Sequence, residues 1–204
     1  MVFDPDIESL FRRQAKAALR KRARALRNTI PESARAARSA KIVESVLACD
    51  AFERARSVAL YWPMLERGEV DVRALDDAAR QASKRVAYPF LRDDADMALL
   101  LAEPGLLEER GHGFAEPPEG APEMAASEEL VVVVPALAVD PIGHRIGYGK
   151  GFYDRLLARI CPPAFAIAVA YDFEVVPEVP ADTHDHAVDV VVTDLRRWQV
   201  TRAG

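Results

Sequence analysis

Residues 143–155, Gly-His-Arg-Ile-Gly-Tyr-Gly-Lys-Gly-Phe-Tyr-Asp-Arg, carry the densest chemistry in this chain of 204 residues. Four of its ten glycines fall here, and Gly147, Gly149 and Gly151 alternate with Tyr148 and Lys150. Glycine lets backbone N–H groups approach an anion closely, and a helix start just downstream adds free N–H groups and a positive dipole end. Arg145 and Lys150 bring fixed positive charge to the same loop, as a triphosphate requires. Asp154, in the first turn of the expected helix, could hold Mg2+ against phosphate oxygens, because magnesium takes one or two carboxylates together with phosphates and water. The spacing matches neither GxxxxGK[ST] nor GxGxxG. The competing reading is a glycine-rich turn tucked under a sheet, with Asp154 only favouring the helix start. Packing alone does not explain Arg145, Tyr148, Lys150, Tyr153 and Asp154 crowded into one loop, so the functional reading is preferred.

Other constellations are weaker. His184 and His186, with Asp182, Asp185 and Asp189, invite a transition-metal reading, but a polar turn before a strand explains them as well. His184 and Asp185 also suggest a hydrolase, yet no G-x-S-x-G or reactive-cysteine context accompanies them. Residues 12–27 hold eight Lys/Arg and no acid in a chain of net charge −5, so the remainder carries −13. Such a run is ordinarily a solvated helix face. A stripe tracking nucleic-acid phosphates is the alternative, but no aromatic residue follows Phe11 in the run to stack on bases.

These residues must be held by a scaffold, and the periodicity supplies one. Phe11, Ala15, Ala18, Leu19, Ala23 and Leu26 recur at helical spacing, and Pro31-Glu32 opens a second helix through Ile42, Val43, Val46 and Leu47. Residues 57–62 form a short apolar run stopped by Pro63, read as a buried strand. A helix is expected over 72–82, and strands over 85–88 (ended by Pro89) and 97–101. Residues 103–127 contain four prolines and four glycines and read as an irregular excursion adding little to the core. Further strands are expected at 130–134, 165–170 and 188–193, with a helix at 151–160 between the first two. Solid apolar strands alternating with helices predict a single α/β domain spanning 1–204, with a mostly parallel sheet covered by helices on both faces. In such sheets ligands bind at the carboxyl ends of the strands.

Composition excludes several classes. With 50% hydrophobic and 29% charged residues the chain is neither disordered nor collagen-like. Cys49 and Cys161 are too few for a disulfide framework and lack zinc spacing, so packing thiols in a reducing cytosol are expected. The first ten residues, acidic and with Pro5, do not resemble a signal peptide, and no apolar run approaches a membrane span.

Four ordered motifs resemble the 5-formyltetrahydrofolate cyclo-ligase family. Val134-Pro-Ala-Leu-Ala-Val-Asp140 followed by residues 143–155 is similar to its signature. Lys16-Ala-Ala-Leu-Arg20, Gly68-Glu-Val-Asp-Val72 and Thr183-His-Asp-His-Ala-Val-Asp-Val-Val-Val-Thr193 resemble its N-terminal, central and C-terminal elements. The resemblance implies a Rossmann-like three-layer α/β fold and an ATP- and Mg2+-dependent conversion of 5-formyltetrahydrofolate to 5,10-methenyltetrahydrofolate through a phosphorylated formyl oxygen. A cytoplasmic monomer acting on small molecules, with no nucleic-acid or membrane partner, is expected; a non-catalytic nucleotide- or RNA-binding module on the same fold is the alternative.

By the same resemblance, Lys16 and Arg20 contact ATP together with the loop Arg145, Ile146, Gly147, Tyr148, Gly149, Lys150, Gly151, Phe152 and Tyr153. Arg145, Lys150 and Tyr153 serve catalysis, while Asp154 and Asp189 bind Mg2+. Glu69, with Trp62 and residues 148–152, receives folate, and Tyr61 is an alternative to Trp62 against the pterin. Arg12, Arg13, Lys21 and Arg22 are expected in solvent. Ala136, Val139 and Glu174 depart from the residues frequent in the family (glycine, phenylalanine and glutamine), which bears on the shape of the folate pocket.

Overall fold

The computed structural model describes residues 5–92 and 96–201, with side chains from residue 7 onward; the first four of the ten opening residues read as unlike a signal peptide lie outside them. Among the described residues, five α-helices, α1 (Pro5–Thr29), α2 (Glu32–Leu47), α3 (Asp50–Arg54), α4 (Arg73–Gln81) and α5 (Phe152–Ile160), accompany a seven-stranded sheet. Its strands are β1 (Ser57–Ala59), β2 (Arg85–Leu91), β3 (Met97–Leu101), β4 (Leu130–Pro135), β5 (Phe165–Val169), β6 (Val190–Val192) and β7 (Arg197–Gln199). The spatial order is β7-β6-β5-β4-β1-β2-β3. The five inner strands are parallel, and β3 and β7 close the two edges antiparallel.

Alternation along the strands builds two cores. Val131 and Val133 of β4 face the side covered by α2, α3 and α4, among Ile42, Phe52 and Leu75. Val132 and Val134 face the opposite side, against Leu156, Leu157 and Ile160 of α5. A strand buried on both faces has no polar side to show, which is why these strands read as solid apolar runs. The expected doubly covered α/β sheet is the observed one. Cys49 and Cys161 are buried and form no disulfide. Among the described residues, no helix is long and apolar enough to cross a membrane.

Several details differ from the pattern reading. Strand β2 runs through Pro89 to Leu91 because β1 ends opposite Ala87, so the missing proline N–H leaves no ladder bond unmade on that side. Helix α3 is only five residues long, too short for periodicity to show. The three-residue β7 was also missed, and Trp198 within it donates from Nε1 to the Pro141 carbonyl at 3.1 Å. Residues 103–127 are more than a surface excursion. Glu108–Glu109 pairs with Ala115–Glu116 in a small hairpin, Met124 is buried in the core, and Phe114 packs against that core.

The chain leaves β1 toward β2 on one side and later returns to β4 on the other. That reversal opens a crevice beyond the carboxyl ends of β1 and β4. Helix α1 covers neither sheet face. Ala23 and Leu19 pack into a separate small cluster with Leu137, Ala138, Ile146 and Val179, which sets the helix across the crevice.

Candidate active site

The crevice is a cavity of about 710 Å³. Its floor comes from Tyr61, Trp62 and Pro135 at the strand ends, and one wall is the glycine loop that precedes α5. Helix α1 and the Glu109–Ala115 turn, through His112 and Phe114, complete the enclosure.

The loop is aimed by a buried carboxylate. Asp140 is fully buried; its Oδ1 accepts the N–H groups of Ile142 (3.1 Å) and His144 (2.9 Å), and its Oδ2 accepts that of Val179 (3.0 Å). Those bonds turn the hairpin formed by Ala138–Val139 and Arg145–Ile146, from which the loop emerges. Gly143 serves this turn rather than a ligand: at φ +83° a Cβ would stand 2.9 Å from the Val188 carbonyl oxygen. Further on, the N–H groups of Gly147, Tyr148, Gly149, Lys150 and Gly151 have no acceptor among the described residues. Gly151, in the left-handed region at φ +68°, is the N-cap of α5.

Helix α1 faces this loop with a row of cations. Arg20 Nε donates to the Gly147 carbonyl at 2.9 Å, and Lys16 is ion-paired with Asp185. Arg13 and Arg24 also line the cavity. Arg27 is buried, its Nε 2.5 Å from Glu174 Oε1 and its Nη2 2.7 Å from the Ala136 carbonyl oxygen. Arg13 and Arg24 are solvent-exposed, as a solvated face requires, and stand at the cavity rim, whereas Arg27 departs from that reading because it is buried. Their common direction is legible in the spacing: positions 13, 16, 20, 24 and 27 recur at three and four and share one helix face.

On the loop side, Arg145 is nearly buried. Its Nη1 donates to the His186 carbonyl at 2.6 Å, and its Nη2 lies 3.2 Å from Asp154 Oδ1. Burial lowers the Arg145 pKa, opposed chiefly by Asp154. Lys150 is exposed at the rim, its Nζ 5.6 Å from the centre of the Phe152 ring. Tyr153 lines the cavity, and burial pushes its phenol well up, so it stays protonated. Ile146 is buried in the α1 contact and reaches the cavity wall.

The opposite side is aromatic with one acid. Glu69 is 3% exposed; Oε2 accepts the Met64 N–H at 2.8 Å, whereas Oε1 has no hydrogen-bond partner. Burial raises its pKa, against the lowering effects of the Met64 N–H, Tyr148, Arg27 and Arg67. The Tyr148 hydroxyl is also buried; it makes no hydrogen bond of ordinary geometry but stands near enough to Glu69 for the two groups to shift each other's pKa, and its ring is flanked by Arg24 at 5.6 Å and Arg67 at 5.7 Å. Tyr61 is committed elsewhere, donating to the Val70 carbonyl at 2.8 Å. Trp62 is half-buried, meets Tyr88 edge-on at 6.2 Å, and presents the larger free ring.

Nearly all the expected site residues line this one cavity. Asp189 does not. It opens β6, where its N–H and Oδ2 bond Ala166 (2.9 and 2.8 Å) at the end of the sheet away from the crevice. Asp185 is the carboxylate that joins Asp154 on the wall. His112, Phe114 and Arg67 escaped the sequence reading because no local period marks a residue that reaches a site from an irregular loop.

Fold and site together define an α/β protein with a ligand cleft at its topological switch point, cationic along one wall and aromatic along the other. The family model for 5-formyltetrahydrofolate cyclo-ligases matches residues 12–194, and the chain belongs to that enzyme family. It is 39% identical over 148 residues to the 5-formyltetrahydrofolate cyclo-ligase of Mycolicibacterium smegmatis, covering 69% of this chain and 75% of that one. It is 27% identical to the mouse enzyme of the same name over 192 residues, covering 89% and 92%. The structure of Aquifex aeolicus 5,10-methenyltetrahydrofolate synthetase superposes with a TM-score of 0.78 at 30% identity, over 93% of this chain and 94% of that chain.

Proposed function

We propose that this chain converts 5-formyltetrahydrofolate to 5,10-methenyltetrahydrofolate at the expense of ATP, and that the cavity holds both substrates. The carrying observation is the apposition of the cationic α1 face to the acceptor-free N–H groups of the glycine loop, across from the apolar wall with Glu69. Lys16, Arg20, Arg145 and Lys150 neutralise phosphate charge, and the loop N–H groups between Gly147 and Gly151 orient it. Phosphoryl transfer needs positioning and charge compensation rather than a protein nucleophile. The formyl oxygen attacks the γ-phosphorus and ADP leaves. N10 then attacks the formyl carbon, the C–O bond breaks to release phosphate, and the N10 proton is lost.

Trp62, Phe152 and Phe114 supply flat apolar surface for the pterin and aminobenzoyl rings. Glu69 Oε1 accepts a donor from folate, and the protonated Tyr148 and Tyr153 hydroxyls donate to its oxygens. Asp154, on the cavity wall beside Asp185, fits a magnesium ion bound by one or two carboxylates and phosphate oxygens, and Asp189 does not reach that position. Such an ion, when bound, adds further charge neutralisation at the phosphates.

The test is incubation with 5-formyltetrahydrofolate, ATP and Mg2+, following the near-ultraviolet absorbance of the methenyl product. Product formation that Asp154→Asn abolishes in a normally folded protein is the expected result. Nucleotide binding without product would instead identify a non-catalytic binding module.

A further inference from the structure

We propose that Glu174 is a positioning residue: through Arg27 it anchors the C-terminal third of α1, and so sets Lys16 and Arg20 over the nucleotide subsite. The inference rests on the ATP reading above and adds a division of labour along α1.

The helix has 25 residues, yet Ala23 and Arg27 are its buried positions among those whose side chains are described, and Phe11 is 62% exposed. Its apolar hold is the small cluster around Ala23 and Leu19. Polar links supplement it: a surface Arg12–Asp182 pair at 3.7 Å, Arg35 donating to the Arg27 carbonyl at 3.2 Å, and three links made by cations on the cavity-facing side of α1. Lys16 meets Asp185, and Arg20 meets the Gly147 carbonyl. Both links lie inside the cavity, where arriving phosphate oxygens compete for the same cations.

The third link is different. Glu174 accepts Arg27 Nε at 2.5 Å and Nη2 at 3.2 Å, while its Oε2 also accepts the Tyr171 N–H at 3.0 Å. Arg27 Nη2 reaches on to the Ala136 carbonyl, just past the end of β4. Neither side chain has solvent to fall back on, at 2% and 0% exposure; Arg27 reaches the cavity wall, but its partner Glu174 is not on that wall. A phosphate can recruit Lys16 and Arg20 from their partners, but the Arg27–Glu174 pair stays closed. The helix is therefore clamped near Thr29 and free to adjust toward its N-terminus, where the exchangeable cations sit.

A carboxylate suits this role because it receives three N–H donors from two elements at once. An amide at position 174 keeps one acceptor oxygen and turns an N–H2 toward the remaining donors.

The experiment compares wild type, Glu174→Ala and Glu174→Gln by steady-state kinetics and by hydrogen exchange of α1. Glu174→Ala is expected to raise KM for ATP about tenfold with kcat within about threefold, the mark of lost ground-state positioning, and Glu174→Gln, which keeps one acceptor oxygen, to recover only part of the loss. Exchange should rise in α1 and stay unchanged in β4 and α5. An unchanged KM, or exchange raised across the whole sheet, overturns the proposal and leaves Glu174 as a stability residue. Should Glu174→Ala not fold, wild type decides: a nonhydrolysable ATP analogue should protect Phe11 to Arg20 and leave Ala23 to Thr29 as protected as before. A uniform gain along the helix refutes the anchor. Absence of both turnover and nucleotide binding in wild type refutes the ATP reading instead, and the exchange comparison between wild type and Glu174→Ala still tests the clamp.

Discussion

Arg20 and Gly149 occupy each other's space: a Cβ built on Gly149 would stand 3.1 Å from the Arg20 guanidinium carbon, and the glycine sits at φ +104°. The absent side chain lets the arginine lie along the loop and bond Gly147. Gly149→Ala therefore carries two penalties, backbone strain and displacement of a phosphate-binding cation. The variant is expected to lose about 1–2 kcal/mol of stability and to raise KM for ATP at least about tenfold. Gly147→Ala is the control, because a Cβ there meets nothing within 4 Å and φ is not positive. Thermal melts and ATP saturation curves on the two variants check this; equal behaviour would show that the Arg20 contact is irrelevant.

Among the described residues, eight Lys and Arg side chains line the cavity against three carboxylates, Glu69, Asp154 and Asp185. A concave site with that imbalance attracts a polyanion before contact, and salt screens the attraction over a Debye length of ~8 Å at physiological ionic strength. KM for ATP should rise several-fold between 0.05 and 0.5 M KCl (both approximate settings) with kcat changing less. Lys16→Ala should flatten the dependence, as removing one cation does. A salt-independent KM would mean that hydrogen bonds alone hold the nucleotide.

Much of this was readable from residue types. The glycine loop announced itself by spacing, and solid apolar runs such as 130–134 identified parallel strands before any pairing was known. Even the cavity-facing row on α1 is legible in the sequence, since Arg13, Arg24 and Arg27 fall in register with Lys16 and Arg20. Other features depend on tertiary placement that no local pattern encodes. Asp189 looks as suitable a ligand as Asp154 until the β5–β6 register sends it to the Ala166 end of the sheet. Phe114 lies among prolines and glycines, and only the fold of the 103–127 segment brings it over the cavity.

That placement makes Phe114 a test of the aromatic wall. It is half-buried, lines the cavity and packs against the core below α5. Phe114→Ala removes apolar surface worth ~1–3 kcal/mol when fully buried, part of which is the wall presented to folate. KM for 5-formyltetrahydrofolate is expected to rise about tenfold while KM for ATP stays within about twofold. Equal effects on both substrates would move Phe114 from the folate wall to general packing.

Glu69 sets activity against stability. Burial holds its carboxyl above the ordinary range, although the Met64 N–H, Tyr148, Arg27 and Arg67 pull the other way, and Oε1 has no partner. A group that keeps its proton more firmly in the folded chain contributes stability that is complete below its unfolded pKa, near ~4.3, and lost as pH rises through the folded value. Toward neutral pH the wild-type protein therefore bears the cost of burying a group against its charged form. Glu69→Gln removes that cost while preserving an oxygen for the Met64 N–H. The variant should melt with wild type near ~pH 4 and a few degrees above it at ~pH 7, since ~1 kcal/mol moves Tm by ~2–4 °C in a domain of this size. Its turnover should fall, and KM for folate should rise more than KM for ATP. A Tm difference that is the same at both pH values would show that the carboxyl does not titrate between them, and that Oε1 is satisfied in the folded protein.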